Sequence, residues 1–320
     1  MQDIIQPIDR EVLKKELTPE KKLRRTNKSN NEIYIVTAHD SPQIMREIGR
    51  LREIAFRHYG GGTGLPADID GYDTMGNAYR QLIVWSPKEE QILGGYRFLC
   101  GSDVKFDPEG KPVLATSGLF DFSDDFLKNY LPYTVELGRS FVSLEYQATL
   151  GSSKGIFVLD NLWDGLGALT VIDPSLKYFY GKVTMYNTYN VEARNMILFF
   201  LNLHFPDTEG LVTPKHPLKT SMDIPKMETL FCGDTFKDNY KILNQEVRRL
   251  GYDVPPLVNA YMNLSPKMRV FGTAINGKFG DVEETGILIA IDEILEDKKK
   301  RHIESYFANM DDAEFQYVKT

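Results

Sequence analysis

In residues 133–142, YTVELGRSFV, Glu136 and Arg139 interrupt a run that otherwise reads as a buried strand, and Gly138 lies between them. Two charges and a missing side chain weaken a central strand, so a role other than packing is expected. On a regular strand a spacing of three sends the two side chains to opposite faces. A bulge at Gly138 would bring them to the same side. It would also leave backbone N–H groups near Ser140 and Phe141 outside the ladder. Such groups can receive a carbonyl oxygen that gains charge, as an oxyanion hole does.

Other charged positions join this pair. Arg97 follows Gly94 and Gly95 in an apolar stretch, QILGGYRFLC, where an inward guanidinium requires a carboxylate partner. Arg52 and Phe56 lie four apart on one helical face. Asp68, Asp70 and Asp73 sit in the turn-rich PADIDGYD, which reads as an acidic loop or a metal loop. The calcium-loop pattern is incomplete, because its twelfth-position Glu is missing.

The elements that must position these residues follow from pattern. EIYIVTA (32–38) reads as a strand, and Ser41-Pro42 as the start of a helix carrying Ile44, Ile48, Leu51 and Ala55 as an apolar stripe. The glycines of GGGTG (60–64) do not follow a strand and make no dinucleotide fingerprint. Residues 79–85 and 91–100 read as a hairpin, followed by the 133–142 strand. Helices are expected at 160–172, 191–203 and 236–250, and strands at 178–186, 268–274 and 285–292. Strands and helices mix without strict alternation, which predicts a mixed α/β sheet flanked by helices. Residues 1–30 are expected as a loosely attached polar arm, 31–292 as the main domain, and 293–320 as a charged helical tail.

The chain has 320 residues, 42% apolar and 26% charged, the balance of a soluble globular protein. A net charge of −7 argues against a general nucleic-acid binder. Basic runs remain at 21–25, 215–219 and 298–302. Cys100 and Cys232 are far apart and read as buried free thiols in a reducing compartment. The start of the chain lacks a signal-peptide pattern, and the apolar run at 196–203 is far below the roughly 20 residues of a span. A cytoplasmic protein is expected. No compact His/Cys cluster suggests a metal. None of the five histidines is followed five residues later by Asp, which excludes the H-x-x-x-x-D signature of lyso-lipid O-acyltransferases.

LREIAF, DIDGYD, LIVW with ILGGYRF, and ELGRSFV, in that order, resemble the GNAT-type acyltransferase domain. More narrowly they resemble the branch holding acyl-homoserine-lactone synthases and the amino-acid N-acyltransferases of ornithine and glycine lyso-lipids, some labelled hemolysin-like. LWDGLGALTVIDPSLKYFYG and PPLVNAYMNL with VFGTAINGKFG extend the similarity over about 32–292. The resemblance implies a GNAT fold with a bulged, splayed strand pair. It implies that Arg52, Phe56, Asp70, Asp73, Arg97, Glu136 and Arg139 shape the acceptor and acyl pocket and hold an ion network, with Asp68 a weaker match. The implied reaction moves a long, 3-hydroxy acyl group from a thioester to the α-amine of a small amino acid, glycine before ornithine. Glu136 is the expected base, Arg97 and Arg139 hold a carboxylate, and N–H groups around Ser140, Phe141 and Ser143 form the oxyanion site. Tyr186 or Tyr189 is the expected acid, and Gly165 and Gly167 cradle the donor's phosphate. Leu162 stands where relatives carry Gln or Arg, which favours an acyl carrier protein over coenzyme A as donor. No permanently bound cofactor is expected. Neither is a membrane span, although peripheral membrane contact for product release is. The alternatives are ornithine as acceptor, an acyl-coenzyme A-dependent N-acetyltransferase, a lactone-synthase-like enzyme and, outside catalysis, a hemolysin-like membrane-active or binding protein.

Overall fold

A computed structural model describes residues 1–147 and 157–308. Eight strands form the main sheet in the order β1-β2-β3-β4-β6-β7-β10-β9, and β5 and β8 form a separate pair. The strands are β1 (Lys22–Arg25), β2 (Glu32–Val36), β3 (Arg80–Ser86), β4 (Gln91–Cys100), β5 (Phe120–Phe122), β6 (Thr134–Val142), β7 (Tyr178–Met185), β8 (Val212–Pro214), β9 (Arg269–Asn276) and β10 (Val282–Ala290). Neighbours in the main sheet are antiparallel except β6 and β7. The mixed sheet flanked by helices is therefore the observed architecture.

The parallel pair is short. β6 and β7 are in register only from Thr134–Tyr178 to Glu136–Tyr180. Beyond that point each strand keeps its other neighbour, β4 or β10, and the two diverge. Gly138, Arg139 and Ser140 on β6 and Lys182 and Thr184 on β7 are consequently only part-buried in the middle of an otherwise covered sheet. Solvent reaches the sheet interior at this gap.

The helices are α1 (Arg10–Glu16), α2 (Pro42–His58), α3 (Gly71–Thr74), α4 (Val158–Ile172), α5 (Val191–His204), α6 (Ile224–Leu230), α7 (Phe236–Arg249), α8 (Pro256–Met262), α9 (Glu296–Lys299) and α10 (Ser305–Ala308). One sheet face is covered by α4 and α5. Leu162, Leu166, Ile197 and Leu201 pack there on Leu82, Val135, Phe179 and Ile287. The opposite face carries two separate apolar clusters. At one end α2 contributes Ile44, Ile48, Ala55 and Phe56 against Ile83, Trp85 and Phe141. At the other end, the segment between β4 and β6 contributes Val104, Leu114, Phe126 and Leu131 against Leu99, Tyr180 and Leu288. The candidate site residues Arg97, Arg139 and Asp70 lie between these clusters.

Several expectations are corrected. Residues 1–30 are not a loose arm. Leu13 of α1 is buried beneath α2, β1 joins the sheet edge, and the Gln2 N–H donates to the Gly64 carbonyl at 2.9 Å. Ser41 does not cap α2 through its side chain. Glu16 reaches over from α1 and accepts from the Ile44 N–H at 2.8 Å and the Gln43 N–H at 3.0 Å, satisfying first-turn donors of α2. Cys232 is exposed, not buried, and Cys100 is intermediate. The described part of the tail packs on α4, where His302 Nδ1 lies 2.8 Å from Asp164 Oδ1. Residues 309–320 of the expected tail lie outside the described residues. Among the described residues no helix is long and apolar enough to cross a membrane.

Candidate active site

The site begins with a bulge. Arg97 pairs with Gly138 and Gly95 with Phe141, so Arg139 and Ser140 together stand opposite Tyr96. Sequence reasoning placed the irregularity at Gly138; the left-handed residue is Arg139 itself, at φ 49°. A bulky residue there costs of order 1 kcal/mol or more and persists only when its surroundings fix it. Arg139 Nε lies 2.8 Å from Asp68 Oδ2, and its guanidinium lies over the Phe279 ring at 4.2 Å. A Cβ at Gly138 would make only ordinary contact with Arg97, 3.5 Å from its Nε, so the passage of Arg97 does not itself require glycine there.

The three aspartates are set by local backbone chemistry. The Asp68 N–H donates to the Gly49 carbonyl on α2 at 2.9 Å. Gly49 permits this crossing, because a Cβ would come within 2.6 Å of Ile69. Asp70 and Asp73 form a reciprocal capping box on α3. Their remaining acceptor directions meet arginines. Arg97 Nη1 donates to both Asp70 oxygens at 2.8 Å and lies 3.4 Å from Asp73 Oδ2. Arg52 Nη1 lies 3.4 Å from Asp73 Oδ1, and its Nη2 donates to Gln81 Oε1. Gln81 Nε2 donates to Asp73 Oδ1 at 3.0 Å. Tyr72 and Tyr79 place their rings 5.7 and 5.3 Å from the Arg97 guanidinium.

This belt is buried, and its protonation follows from that. Burial alone would push the Asp73 carboxyl up, but Arg52 and Arg97 hold it at about 2. Arg97 is raised, since Asp73 and Asp70 overcome the burial that disfavours its charge. Arg52, fully buried, is lowered by burial against the pull of Asp73 and Asp68. The aspartate loop is thus an arginine-binding element. Among the described residues no group of acidic, His or Cys side chains could hold a metal ion.

The structure does not pair Glu136 with Arg139. Glu136 accepts from the Tyr79 hydroxyl at one oxygen, and from the Thr116 N–H at 3.0 Å and the Thr116 hydroxyl at 2.6 Å at the other. Three of its four acceptor directions are taken, and it is turned toward Tyr79 and the 114–116 turn. Burial and then Glu136 raise the Tyr79 phenol, so that Tyr79 stays a donor. Glu136 and Arg139 lie on one face of the sheet with Arg97 between them, linked through Tyr79, Arg97 and Asp70.

Phe56 is in place, edge-on to Phe279 at 5.1 Å, and Phe141 is buried beside α2. Three other expectations change. The Ser143 N–H donates to Leu93 O and its hydroxyl to Ile92 O, each at 2.8 Å, so neither is free to receive an oxyanion. Only Arg139 and Ser140 leave the ladder. Tyr189 packs on the opposite sheet face, and its hydroxyl donates to the Asp253 carbonyl at 2.8 Å. Tyr186 is the tyrosine beside the belt, its phenol raised by burial and by Glu284. Gly165 and Gly167 do not open a helix. They lie within α4, where a Cβ would meet Leu82 at 2.8 Å and the His302 carbonyl oxygen at 2.2 Å. Leu162 is a core residue of the same helix, so its identity says nothing about the donor's phosphate. Gly167→Ala should therefore cost about 1–3 kcal/mol by overpacking against backbone while leaving activity per folded molecule intact. Urea midpoints checked beside donor KM values test this, and a raised KM at unchanged stability would restore a phosphate role.

Sequence reasoning missed Tyr79, Gln81, Thr116, Lys182 and Glu284. Lys182 was within reach, because it follows Gly181 in the apolar run YFYGKVTM just as Arg139 follows Gly138. Nothing in the local sequence singles out Tyr79 or Gln81.

Residues 51–153 match the acetyltransferase (GNAT) domain. The chain is 66% identical over 306 residues to a glycine N(alpha)-acyltransferase of Phocaeicola vulgatus, covering 96% of this chain and 94% of the relative. It is 64% identical over 313 residues to a protein of the same name from Bacteroides thetaiotaomicron, covering 98% and 93%. No solved structure matches. A split sheet with a bulged strand, a GNAT domain match and near-full-length identity of this size lead to one assignment: the chain belongs to the glycine N(alpha)-acyltransferase family and is an amino-acid N-acyltransferase of the GNAT type.

Proposed function

We propose that the protein transfers a long-chain, 3-hydroxylated acyl group from the phosphopantetheine thioester of an acyl carrier protein to the α-amine of glycine. The observation that carries this reading is the gap between β6 and β7, lined by Arg139, Ser140 and Lys182. A linear thioester can enter there edge-on, its carbonyl meeting backbone that has left the ladder. Transfer from thioester to amide is downhill. The residues need only position the amine, manage its protons and keep water away.

Glycine is favoured by the relatives' names and by the charge pattern. Each belt aspartate already faces a cation: Asp68 and Asp70 face Arg139 and Arg97, and Asp73 faces Arg52 and Arg97. None of these acids is left over for the second ammonium of ornithine. An acidic carrier protein needs a local basic patch on a chain of net charge −7. The 215–219 segment exposes His216 and Lys219, whereas in the 298–302 run Arg301 is paired with Asp160 and His302 with Asp164.

Purified protein given 3-hydroxyacyl carrier protein and an equimolar mixture of glycine, ornithine, serine and alanine should yield N-acylglycine as the main product by mass spectrometry. Predominance of another acyl amino acid refutes the acceptor. Raising salt from 50 to 300 mM, an assay range set by screening lengths of about 14 to 6 Å, should lower kcat/KM for the carrier-protein donor and leave acyl-coenzyme A turnover nearly unchanged. Equal rates from both donors at every salt concentration refute the carrier assignment.

A further inference from the structure

One buried ion pair on the belt face has no part in the network that holds Arg97 and Arg139. Lys182 on β7 meets Glu284 on β10 across a diagonal of the antiparallel pair, where Lys182 is opposite Gly286 and Glu284 opposite Thr184. The Glu284 side chain is 0% exposed and that of Lys182 12%, the same as Arg139. The other Glu284 oxygen has one distant neighbour, the Thr184 hydroxyl at 3.4 Å. Oε2 makes no well-directed hydrogen bond. Buried ion pairs rarely stabilise a sheet better than apolar residues of the same size would. Packing alone gives no reason for this one.

Its position does. Lys182 follows Gly181, where β7 has just left β6, so Lys182 and Arg139 stand on the two sides of the gap. Around the pair are Arg139 on β6, Arg97 on β4 and Tyr186 at the end of β7. Burial lowers the Lys182 ammonium, and Arg139 and Arg97 add to this, opposed by Glu284. Two cations and a buried carboxylate whose contacts are Lys182 and the Thr184 hydroxyl therefore flank the gap, and an amino acid brings to it one ammonium and one carboxylate.

We propose that Lys182 and Glu284 are the acceptor-binding and proton-accepting pair of the acyl transfer. Glu284 receives a proton from the acceptor's ammonium, and Lys182, drawn off Glu284, holds the acceptor's carboxylate together with Arg139. The inference rests on the amino-acid acceptor argued above. The ammonium gives one proton to the Glu284 carboxylate, which later releases it to water. The neutral nitrogen attacks the thioester carbonyl and forms the C–N bond. The C–S bond breaks, and the second nitrogen proton leaves with the sulfur as thiol.

Glu284→Gln should lower kcat/KM for the amino acid by about 10²–10³-fold, the range of a lost general base, with the KM for the acyl thioester within about twofold. Its residual rate should climb with pH as solvent supplies the free amine, so that the acid limb of the profile moves upward. Glu284→Asp should retain a wild-type-shaped limb at a reduced rate. Lys182→Met should raise the KM for the amino acid more than it lowers kcat. The proposal is overturned if Glu284→Gln keeps the wild-type pH profile, or if its rate falls only in proportion to the folded fraction read by circular dichroism. Should the Gln variant fail to fold, the Asp variant decides, because a limb identical to wild type in both position and height would exclude Glu284. If the wild-type enzyme acylates an amino acid other than glycine, the same variants are read on that acceptor. The role of Glu284 is then decided separately from the choice of glycine.

Discussion

Arg97→Met should cost about 3–5 kcal/mol of stability, the range for removing one partner of a buried ion pair. It should also lower kcat/KM of the folded fraction by roughly 100-fold, the penalty expected when positioned groups shift by about 1 Å. The cost is not one salt bridge. Arg97 donates to both Asp70 oxygens, and it shares Asp73 with Arg52. Without it, Asp70 turns to the more distant Arg139, 3.7 Å away, and draws that residue from Asp68. Arg139 sits in a left-handed conformation that its partners maintain, so the bulge should relax when they move. Arg97→Lys separates charge from shape. An ammonium restores the charge but not the planar donors between the Tyr72 and Tyr79 rings, and the variant should fall between wild type and Met in both properties. Urea unfolding and turnover per folded molecule give the two numbers. A Met variant as stable as the parent would show that the belt carboxylates do not depend on Arg97.

The elements were legible where periodicity and punctuation agreed. The apolar stripe of α2, the β3–β4 hairpin and the run of β6 all declare themselves through spacing and the turns beside them. The arm departs from its expectation because composition alone cannot show that a buried Leu13 ties a polar segment to the body, whereas the expected helical tail is helical over Glu296–Lys299 and Ser305–Ala308. The cap of α2 was invisible for a related reason. Its carboxylate comes from Glu16, 28 residues before the Ile44 N–H it receives, and capping rules look only at adjacent residues.

The site divides in the same way. Charges inside apolar strands single out Arg97, Glu136 and Arg139, which the fold gathers on one face of the sheet beside Tyr79 and the aspartates. The signal gave the residues but not their partners. An acid and a base close in sequence invite pairing, yet Glu136 was taken by Tyr79 and Thr116, and Arg139 by Asp68. The resemblance implies a phosphate loop at the glycines of α4, and sequence cannot tell a close helix contact from an anion cradle. Contact with the His302 carbonyl decides it. In each instance the deciding partner is distant in sequence, which is why local pattern names chemistry-bearing residues more readily than it assigns their roles.

Asp73→Asn should remove a pH-dependent share of the stability that the parent carries. Asp73 lies at about 2 when folded, against an ordinary value of 3.8. A depressed carboxyl contributes stability that is fully present above its unfolded value and is lost as pH falls through the folded one. The window therefore runs from about pH 4 down to about pH 2, and the contribution at stake is about 2 kcal/mol. At neutral pH the Asn variant should be the less stable of the two by at least that amount, because Arg52 and Arg97 both lose an anionic partner inside the belt. As the pH drops below 4 the parent protonates Asp73 while the Asn variant has nothing to protonate there, so the gap between them should narrow. Carboxylates that share no arginine with Asp73 titrate alike in both proteins and cancel in the difference. Urea midpoints for the two proteins at fixed ionic strength, taken in half-unit steps from pH 7 to the lowest pH at which both fold, would show the convergence. Two parallel curves across the acid range would mean that the arginines do not hold Asp73 down, and that the buried network around it is weaker than its geometry implies.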